Sequence, residues 1–332
     1  MILVTGASGH LGNVLVRNLL ARGENVRALI LPGEDCQSLK GLEIERIEGN
    51  VLDPASLDKA MQNIKTVFHL AGVISIVPGA EELMQKVNVT GVWNTANAAL
   101  KAGVQRFIHT SSIHAFKRMP HGETIDEKTP LAPDSPAGAY DRTKAEGTLA
   151  LREVIDQGLN AVITHPTGII GPYDYLHSEM GSTILGFAKR KLAFLVNGAY
   201  DFVDVRDVAN GLILAWQKGK TGESYILSGE QIQVAQIKQI VQKIVGIKTP
   251  QIVIPNSLAM FSTYFTQYLY RFSKITPKFT SYSLKTLQDN SVFSNAKARS
   301  ELGYQPRSLQ ESIRDTLQWW KSQFSKLPFS VR

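Results

Sequence analysis

Short apolar runs alternate with longer amphipathic stretches through the first half of the chain. Ile2–Thr5, Val26–Leu31, Glu43–Ile47, Thr66–Leu70, Arg106–Thr110 and Ala161–His165 are rich in Val, Ile, Leu or Phe, as buried parallel strands are. Between them, apolar positions recur at helical spacing over Leu11–Ala21, Pro54–Gln62, Glu81–Ala102 and Tyr140–Gln157. This alternation with short turns predicts βαβ units and a doubly wound α/β fold, its parallel sheet covered on both faces.

From Gly171 the rhythm changes. Ser178–Arg190, Val234–Val245 and Leu309–Phe324 read as helices, and Phe202–Val205 and Tyr225–Leu227 as short strands. Asp207 is placed to cap a helix running to Gln217. In Pro255–Phe272, the residues Leu258, Phe261, Phe265, Tyr268, Leu269 and Phe272 fall at helical spacing. Three readings of that stretch stay open: a pocket wall, a helix docked on the body, or contact with a membrane surface, since Arg271, Lys274 and Lys278 follow.

At roughly 150 residues per domain, 332 residues make one large domain or two linked ones. With 43% hydrophobic and 20% charged residues the chain has ample material for a core. Cys36 is the one cysteine, which excludes internal disulfides and multi-cysteine metal sites. No His, Asp or Glu cluster has metal-ligand spacing, so no metal is expected. The start MILVTG lacks a basic signal-peptide region. Apolar stretches fall short of the ~18–20 residues of a membrane span, and the expected compartment is the cytoplasm. The net charge of +7 is scattered, so no nucleic-acid partner is expected.

The strongest local signal is Thr5-Gly6-Ala7-Ser8-Gly9-His10-Leu11-Gly12, directly after a strand and opening a helix. There the first glycine allows a tight turn, the second admits a pyrophosphate close to the backbone, and the third lets helix and strand pack closely. Free N–H groups at the helix start favour the phosphates. Gly6, Ser8, Gly9, His10, Leu11 and Gly12 are the candidate cofactor residues here. An acid about 20 residues on commonly reads the adenosine ribose. Glu34 and Asp35 are near enough to do so and would repel a 2′-phosphate, while Lys40 is the nearby cation. The sequence leaves NAD versus NADP open.

Tyr140 and Lys144 stand at i and i+4 on one predicted helix, so both project from one face. A nearby ammonium favours a phenolate, and such a pair can move a proton at a carbinol oxygen. Ser111 and Ser112 end the fifth strand, on the ligand-binding side of a parallel sheet. The Pro-rich stretch Met119–Gly138 lies between Ser112 and Tyr140, where a loop would wall the substrate.

With these motifs the chain resembles the extended short-chain dehydrogenase/reductases, the NAD-dependent epimerase/dehydratase family. The resemblance rests on Thr5-Gly-x-x-Gly-x-x-Gly12, His69-Leu-Ala-Gly72, Asn88, Thr110-Ser-Ser112, Tyr140-x-x-x-Lys144, His165-Pro166, Gly171-Pro172, Phe202-Val-x-Val-x-Asp207 and Leu302-Gly-Tyr304. It implies a Rossmann domain over 1–170, with 201–245 returning to it, and a smaller substrate-binding part over 171–200 and 246–332. It implies an NAD(P)(H) cofactor and a small-molecule substrate. Tyr140 would be the general acid/base, Lys144 would hold the nicotinamide ribose and lower the Tyr pKa, and Ser112 would bond the substrate oxygen. Asn50 and Val51 would flank the adenine, although the family more often has Asp at position 50. Ala71 and Gly72 would pass under the pyrophosphate and ribose. Backbone around Pro166–Ile169 would hold the carboxamide, and Asn88 and Thr110 complete the cofactor set. A homodimer through the Glu81–Ala102 and Tyr140–Gln157 helices is also implied.

Three branches compete within that resemblance. Dehydratases carry an acidic pair after the Ser/Thr, where this chain has Ile113 and His114. Nucleotide-sugar epimerases place a diphosphate-clamping Arg two residues before the Phe-Val strand, where this chain has Tyr200. Val26-Arg-Ala-Leu29 and His165–Pro172 look closest to dihydroflavonol-reductase-like and 3β-hydroxysteroid-dehydrogenase-like members, which act on apolar carbonyls and alcohols. A nucleotide-sugar epimerase with tightly held NAD and a non-catalytic cofactor-binding sensor remain the alternatives. Among the histidines, His69 is expected to be structural, His10 to cover the cofactor or face solvent, and His114 to line the substrate site or pack in its loop.

Overall fold

The computed structural model describes residues 1–75, 79–191, 194–261, 281–324 and 327–331. Among these, twelve strands occur: β1 Ile2–Thr5, β2 Val26–Ile30, β3 Glu45–Glu48, β4 Thr66–His69, β5 Arg106–Thr110, β6 Ala161–Pro166, β7 Gly168–Ile170, β8 Phe194–Val196, β9 Ala199–Asp204, β10 Ser224–Leu227, β11 Glu230–Gln233 and β12 Ile252–Ile254. Seven of them make one parallel sheet in the order β10-β6-β5-β4-β1-β2-β3. The order reverses between β1 and β4, and ligands of such sheets bind beyond the strand ends at that switch point.

Both faces are covered, which is why the central strands are apolar at nearly every position. Helices His10–Leu20 and Val205–Lys218 pack on one face over Ile2, Val4, Phe68, Ile108 and Val162. Helices Pro54–Ala60, Gly91–Lys101 and Ala139–Asp156 cover Leu3, Val67, Phe107, Ala161 and Ile163 on the other. The sheet edge β3 is mostly exposed, unlike the fully buried β1, β4 and β6. A second layer joins β7, β9 and β11 in a three-stranded sheet. Helices Glu179–Ala188, Val234–Val245 and Leu309–Gln323 pack with it around Phe187, Ile237, Ile313, Leu317 and Trp320.

Two sequence expectations need correction. The cap of the helix after β9 is Asp204, whose carboxylate accepts from Arg206 N at 2.8 Å. Asp207 lies inside the first turn, where it accepts from the Arg307 guanidinium and backbone. The expected helix Glu81–Ala102 is broken: an α-turn Glu81–Gln85, a π-turn Lys86–Thr90, then helix Gly91–Lys101. The π-turn is where Asn88 reaches out of the helix to bond Val73. In the aromatic stretch, residues 256–261 are helical; Phe265, Tyr268, Leu269 and Phe272 lie outside the described residues. The loop Met119–Gly138 does not stand alone. Ile125 pairs with the chain at Val292 and Ser294, and Glu127 accepts from Ile226 N at 2.7 Å, closing the free edge of β10.

Candidate active site

The glycine turn is built as its spacing demands. Gly6 has φ +67°, and a Cβ there would stand 2.8 Å from Ala71 N. A Cβ on Gly12 would come 2.0 Å from the Gly6 carbonyl oxygen, so only glycine lets the helix start this close to the turn. Gly9 caps the helix His10–Leu20, which among the described residues has no side-chain cap and no acid in its first turn. Its first N–H groups and positive dipole end therefore stay available for an anion. These features fit a dinucleotide pyrophosphate. The Ser8 hydroxyl donates to Glu34, whose other oxygen accepts from Leu31 N at 2.9 Å. Glu34 is thus fixed against the turn. His10 Nε2 bonds the Pro172 carbonyl at 2.9 Å. Asn13, fully buried, donates to the carbonyls of Gly9, His10 and Tyr173.

Beyond β1 and β4, Thr5 Oγ accepts from Leu70 N and Ala71 N at 3.2 Å each and so must donate to His69 Nδ1 at 2.9 Å. Burial, and then the Lys144 charge, push the His69 pKa down to about 3. The ring is a neutral structural post. Asn88 Oδ1 accepts from Val73 N, and its amide donates to Val73 O and Thr143 Oγ. Asn88 therefore holds the segment after Gly72 rather than offering its side chain freely. A Cβ on Gly72 would lie 3.3 Å from Asn88 Oδ1 and 3.8 Å from Lys144 Nζ. Asn50 Oδ1 accepts from Leu52 N, and buried Val51 gives its carbonyl to Asn94. Pro166 ends β6 and Ile169 sits mid-β7.

Ser112 and Tyr140 are both buried, and the Ser112 hydroxyl accepts from His114 N at 3.2 Å. Lys144 Nζ donates to the Thr110 carbonyl at 3.1 Å, one helical turn beyond Tyr140. The Thr110 hydroxyl oxygen is buried with no hydrogen-bond partner among the described residues, an acceptor a bound group would complete. Burial lifts the Tyr140 phenol to about 12, against the Ser112 hydrogen bond, and lowers Lys144 to about 8. In the protein alone, then, burial and the Asp141 charge raise the phenol, and the expected lowering by Lys144 does not enter. Fully buried His165 donates from Nδ1 to the Ser112 carbonyl at 3.0 Å and accepts at Nε2 from Ser224. Its role, unassigned from sequence, is to fix the backbone that carries the Ser112 hydroxyl.

Sequence reasoning missed a polar cluster beside Tyr140. Asp141, fully buried, takes two bonds from Arg118 and one from Tyr282 OH at 2.6 Å. His114 stands edge-on to Tyr140, with ring centroids 5.4 Å apart. Its Nε2 is 2.7 Å from Tyr200 OH, and its Nδ1 is 3.2 Å from Tyr282 OH and 3.5 Å from Asp141 Oδ1. The sequence reading had singled out His114 and had an acid next to the tyrosine, but Tyr282 arrives from 141 residues further along the chain.

Known proteins resemble this arrangement along its whole length. The sterol demethylase protein B of Methylococcus capsulatus is 38% identical over 323 residues, covering 96% of this chain and 98% of that protein. A 3β-hydroxysteroid dehydrogenase/Δ5→4-isomerase of Mycobacterium tuberculosis is 28% identical, covering 100% of this chain and 93% of its own. The crystal structure of gox2253 superposes with a TM-score of 0.85 at 34% identity, covering 97% of this chain and 98% of that one. Residues 2–228 match one family throughout. The chain belongs to the NAD dependent epimerase/dehydratase family.

Proposed function

We propose that the protein is an NAD(P)-dependent oxidoreductase that reduces a carbonyl, or oxidises a secondary alcohol, on a small or medium apolar molecule. The observation that carries this reading is the meeting of Ser112, Tyr140 and Lys144 beyond the strand ends, beside the glycine turn. When bound, the cofactor supplies or accepts hydride. The turn Gly6–Gly12, with Ser8, His10 and Leu11, would hold the pyrophosphate, Asn50 and Val51 the adenine side, Ala71 and Gly72 the path beneath. Lys144 would hold the nicotinamide ribose, with Thr110 and Asn88 shaping that wall and Pro166–Ile169 the carboxamide. In reduction Tyr140 donates its proton to the oxygen that becomes an alcohol, and Ser112 keeps that oxygen in line. A phenol near 12 holds its proton at neutral pH, ready for that direction. Oxidation needs the proton removed, so its rate should climb with pH.

The apolar substrate class draws support from the two relatives named for sterol and hydroxysteroid chemistry, and from Tyr200 and Phe202 packed edge to face at 5.4 Å beside His114. By the same resemblance, the second layer would serve the substrate, and two copies would pair through the helices of Asn88 and Tyr140. Light scattering at micromolar concentration should then give twice the chain mass; a single-chain mass removes the dimer.

The first experiment is calorimetric titration with NADH, NADPH and UDP-glucose, followed by a screen of sterols and ketones. Binding of a reduced cofactor, no heat from UDP-glucose and turnover of an apolar ketone are the expected results. Tight UDP-glucose binding without net cofactor consumption would replace this reading with that of a nucleotide-sugar epimerase.

A further inference from the structure

The bases of this chain are spread along it, but their excess over acids is not. Between Glu230 and Asp289 stand 58 residues without one Asp or Glu, where the chain's own average would put about five. The same stretch holds seven of the 36 bases, which is the whole net charge; elsewhere 29 bases stand against 29 acids. Lys238 is buried and bonded to the Pro250 carbonyl at 2.6 Å, whereas Lys243, Lys248 and Lys285 are exposed. Arg271, Lys274 and Lys278, outside the described residues, complete the set.

The fold sets bare apolar surface in the same stretch. Ile252 and Val253 lie on β12, in its two-stranded sheet with β8. Leu258 and Phe261 stand three apart on the short helix 256–261, so they share a face. Its other side, Ala259 and Met260, packs with Leu284 and Val196. The four outward residues are between 39% and 59% exposed, and they are four of the ten large exposed hydrophobics among the described residues. So many within ten residues mark an interaction surface.

We infer that the surface carrying Lys243, Lys248, Ile252, Leu258 and Phe261 docks on an anionic lipid bilayer. Bases reach the headgroups while apolar side chains sink toward the acyl boundary. The sequence beyond Phe261 keeps the same chemistry, interleaving Phe265, Tyr268 and Phe272 with bases, as segments at a bilayer interface do. Among the described residues no helix is long and apolar enough to cross a membrane, so the contact is made by lying on it. A second copy of this chain does not fit, because two acid-free faces repel. Nucleic acid answers the charge but leaves Ile252, Val253 and Leu258 without apolar cover. The surface is one helix from the candidate site: Leu284 belongs to helix Ser281–Gln288, whose Tyr282 bonds Asp141 beside Tyr140.

The test needs neither cofactor nor substrate, so its failure leaves the oxidoreductase reading untouched. The full chain is sedimented with vesicles of phosphatidylcholine alone or with about 30% phosphatidylserine, at about 0.05 M and about 0.5 M salt. Binding to the anionic vesicles should be at least about tenfold tighter than to the neutral ones and should weaken with salt. Lys248→Gln should loosen it about fivefold, and Lys243→Gln with Lys248→Gln further. Leu258→Ser with Phe261→Ser keeps the charge and should loosen it about tenfold. A melting temperature equal to the wild type shows that a variant is folded; if the serine pair is not, Leu258→Ser alone takes its place. No binding to anionic vesicles, equal binding to neutral ones, or lysine variants that bind as the wild type does overturn the inference. Anionic binding that the serine variant leaves within about twofold overturns it too, since the surface then reads charge alone. Tighter binding of a short polythymidine strand than of anionic vesicles, by fluorescence anisotropy, would assign the surface to nucleic acid instead.

Discussion

Lys144 shows what the site costs the fold. Its ammonium is pulled well out of water and bonded to one carbonyl, and its pKa falls from 10.5 to about 8. Between those values the unfolded chain binds the proton that the folded chain gives up, so stability should rise with pH across that window. Below pH 8 the penalty is present in full, about 2 kcal/mol, less than the whole shift implies because Lys144 is only partly buried. Lys144→Met should therefore raise the melting temperature of the cofactor-free protein at pH 7, and the gain should vanish above pH 10.5. Tyr140→Phe should lower kcat by about 10²–10⁴ in steady-state assays while NADH binding, read by fluorescence, stays within about twofold. Glu34 is fixed by Ser8 and Leu31 N beside the turn. NAD should accordingly bind more tightly than NADP, and Glu34→Gln should narrow that ratio by about tenfold in paired calorimetric titrations.

Helices meet at their smallest residues, and this is where element-level prediction is sharpest. A Cβ on Gly147 would come 2.0 Å from the Asn88 carbonyl oxygen, so the Tyr140 helix could not keep its seat on the π-turn. Gly147→Ala should cost about 1–3 kcal/mol in urea unfolding and also displace Lys144, three residues earlier. What the sequence made legible follows the same physics. Strands β1, β4, β5 and β6 were readable because two buried faces force an apolar run. Ser112, Tyr140 and Lys144 were readable because their partners are set by strand ends and a single helical turn. The π-turn was not, since its cause is a side-chain bond from Asn88 to Val73 across 15 residues. Asp204 and Asp207 both suit a helix start; in the fold Arg206 holds Asp204 at the cap, and Arg307, 100 residues away, takes Asp207. The chain from Asp141 to Tyr200 was invisible for the same reason: its links span 86 to 168 residues.

At the scale of the molecule, the nucleotide turn depends on a part of the chain that holds none of the sheet's first six strands. His10 and Asn13 tie the turn to the carbonyls of Pro172 and Tyr173, where the backbone leaves β7 with φ +144° at Gly171 and +66° at Tyr173. Asn13→Ala would remove the side-chain bonds to all three carbonyls, leaving that of Gly9 its backbone bond from residue 13. NAD affinity should drop about tenfold by calorimetry, with no contact to the dinucleotide removed. The bonds also bear on portability. A Rossmann half is commonly treated as a cassette that can be moved between proteins. Here the cassette is buttoned shut from outside: a graft ending at Pro166 would carry every glycine of the turn and arrive without the strap that sets its shape.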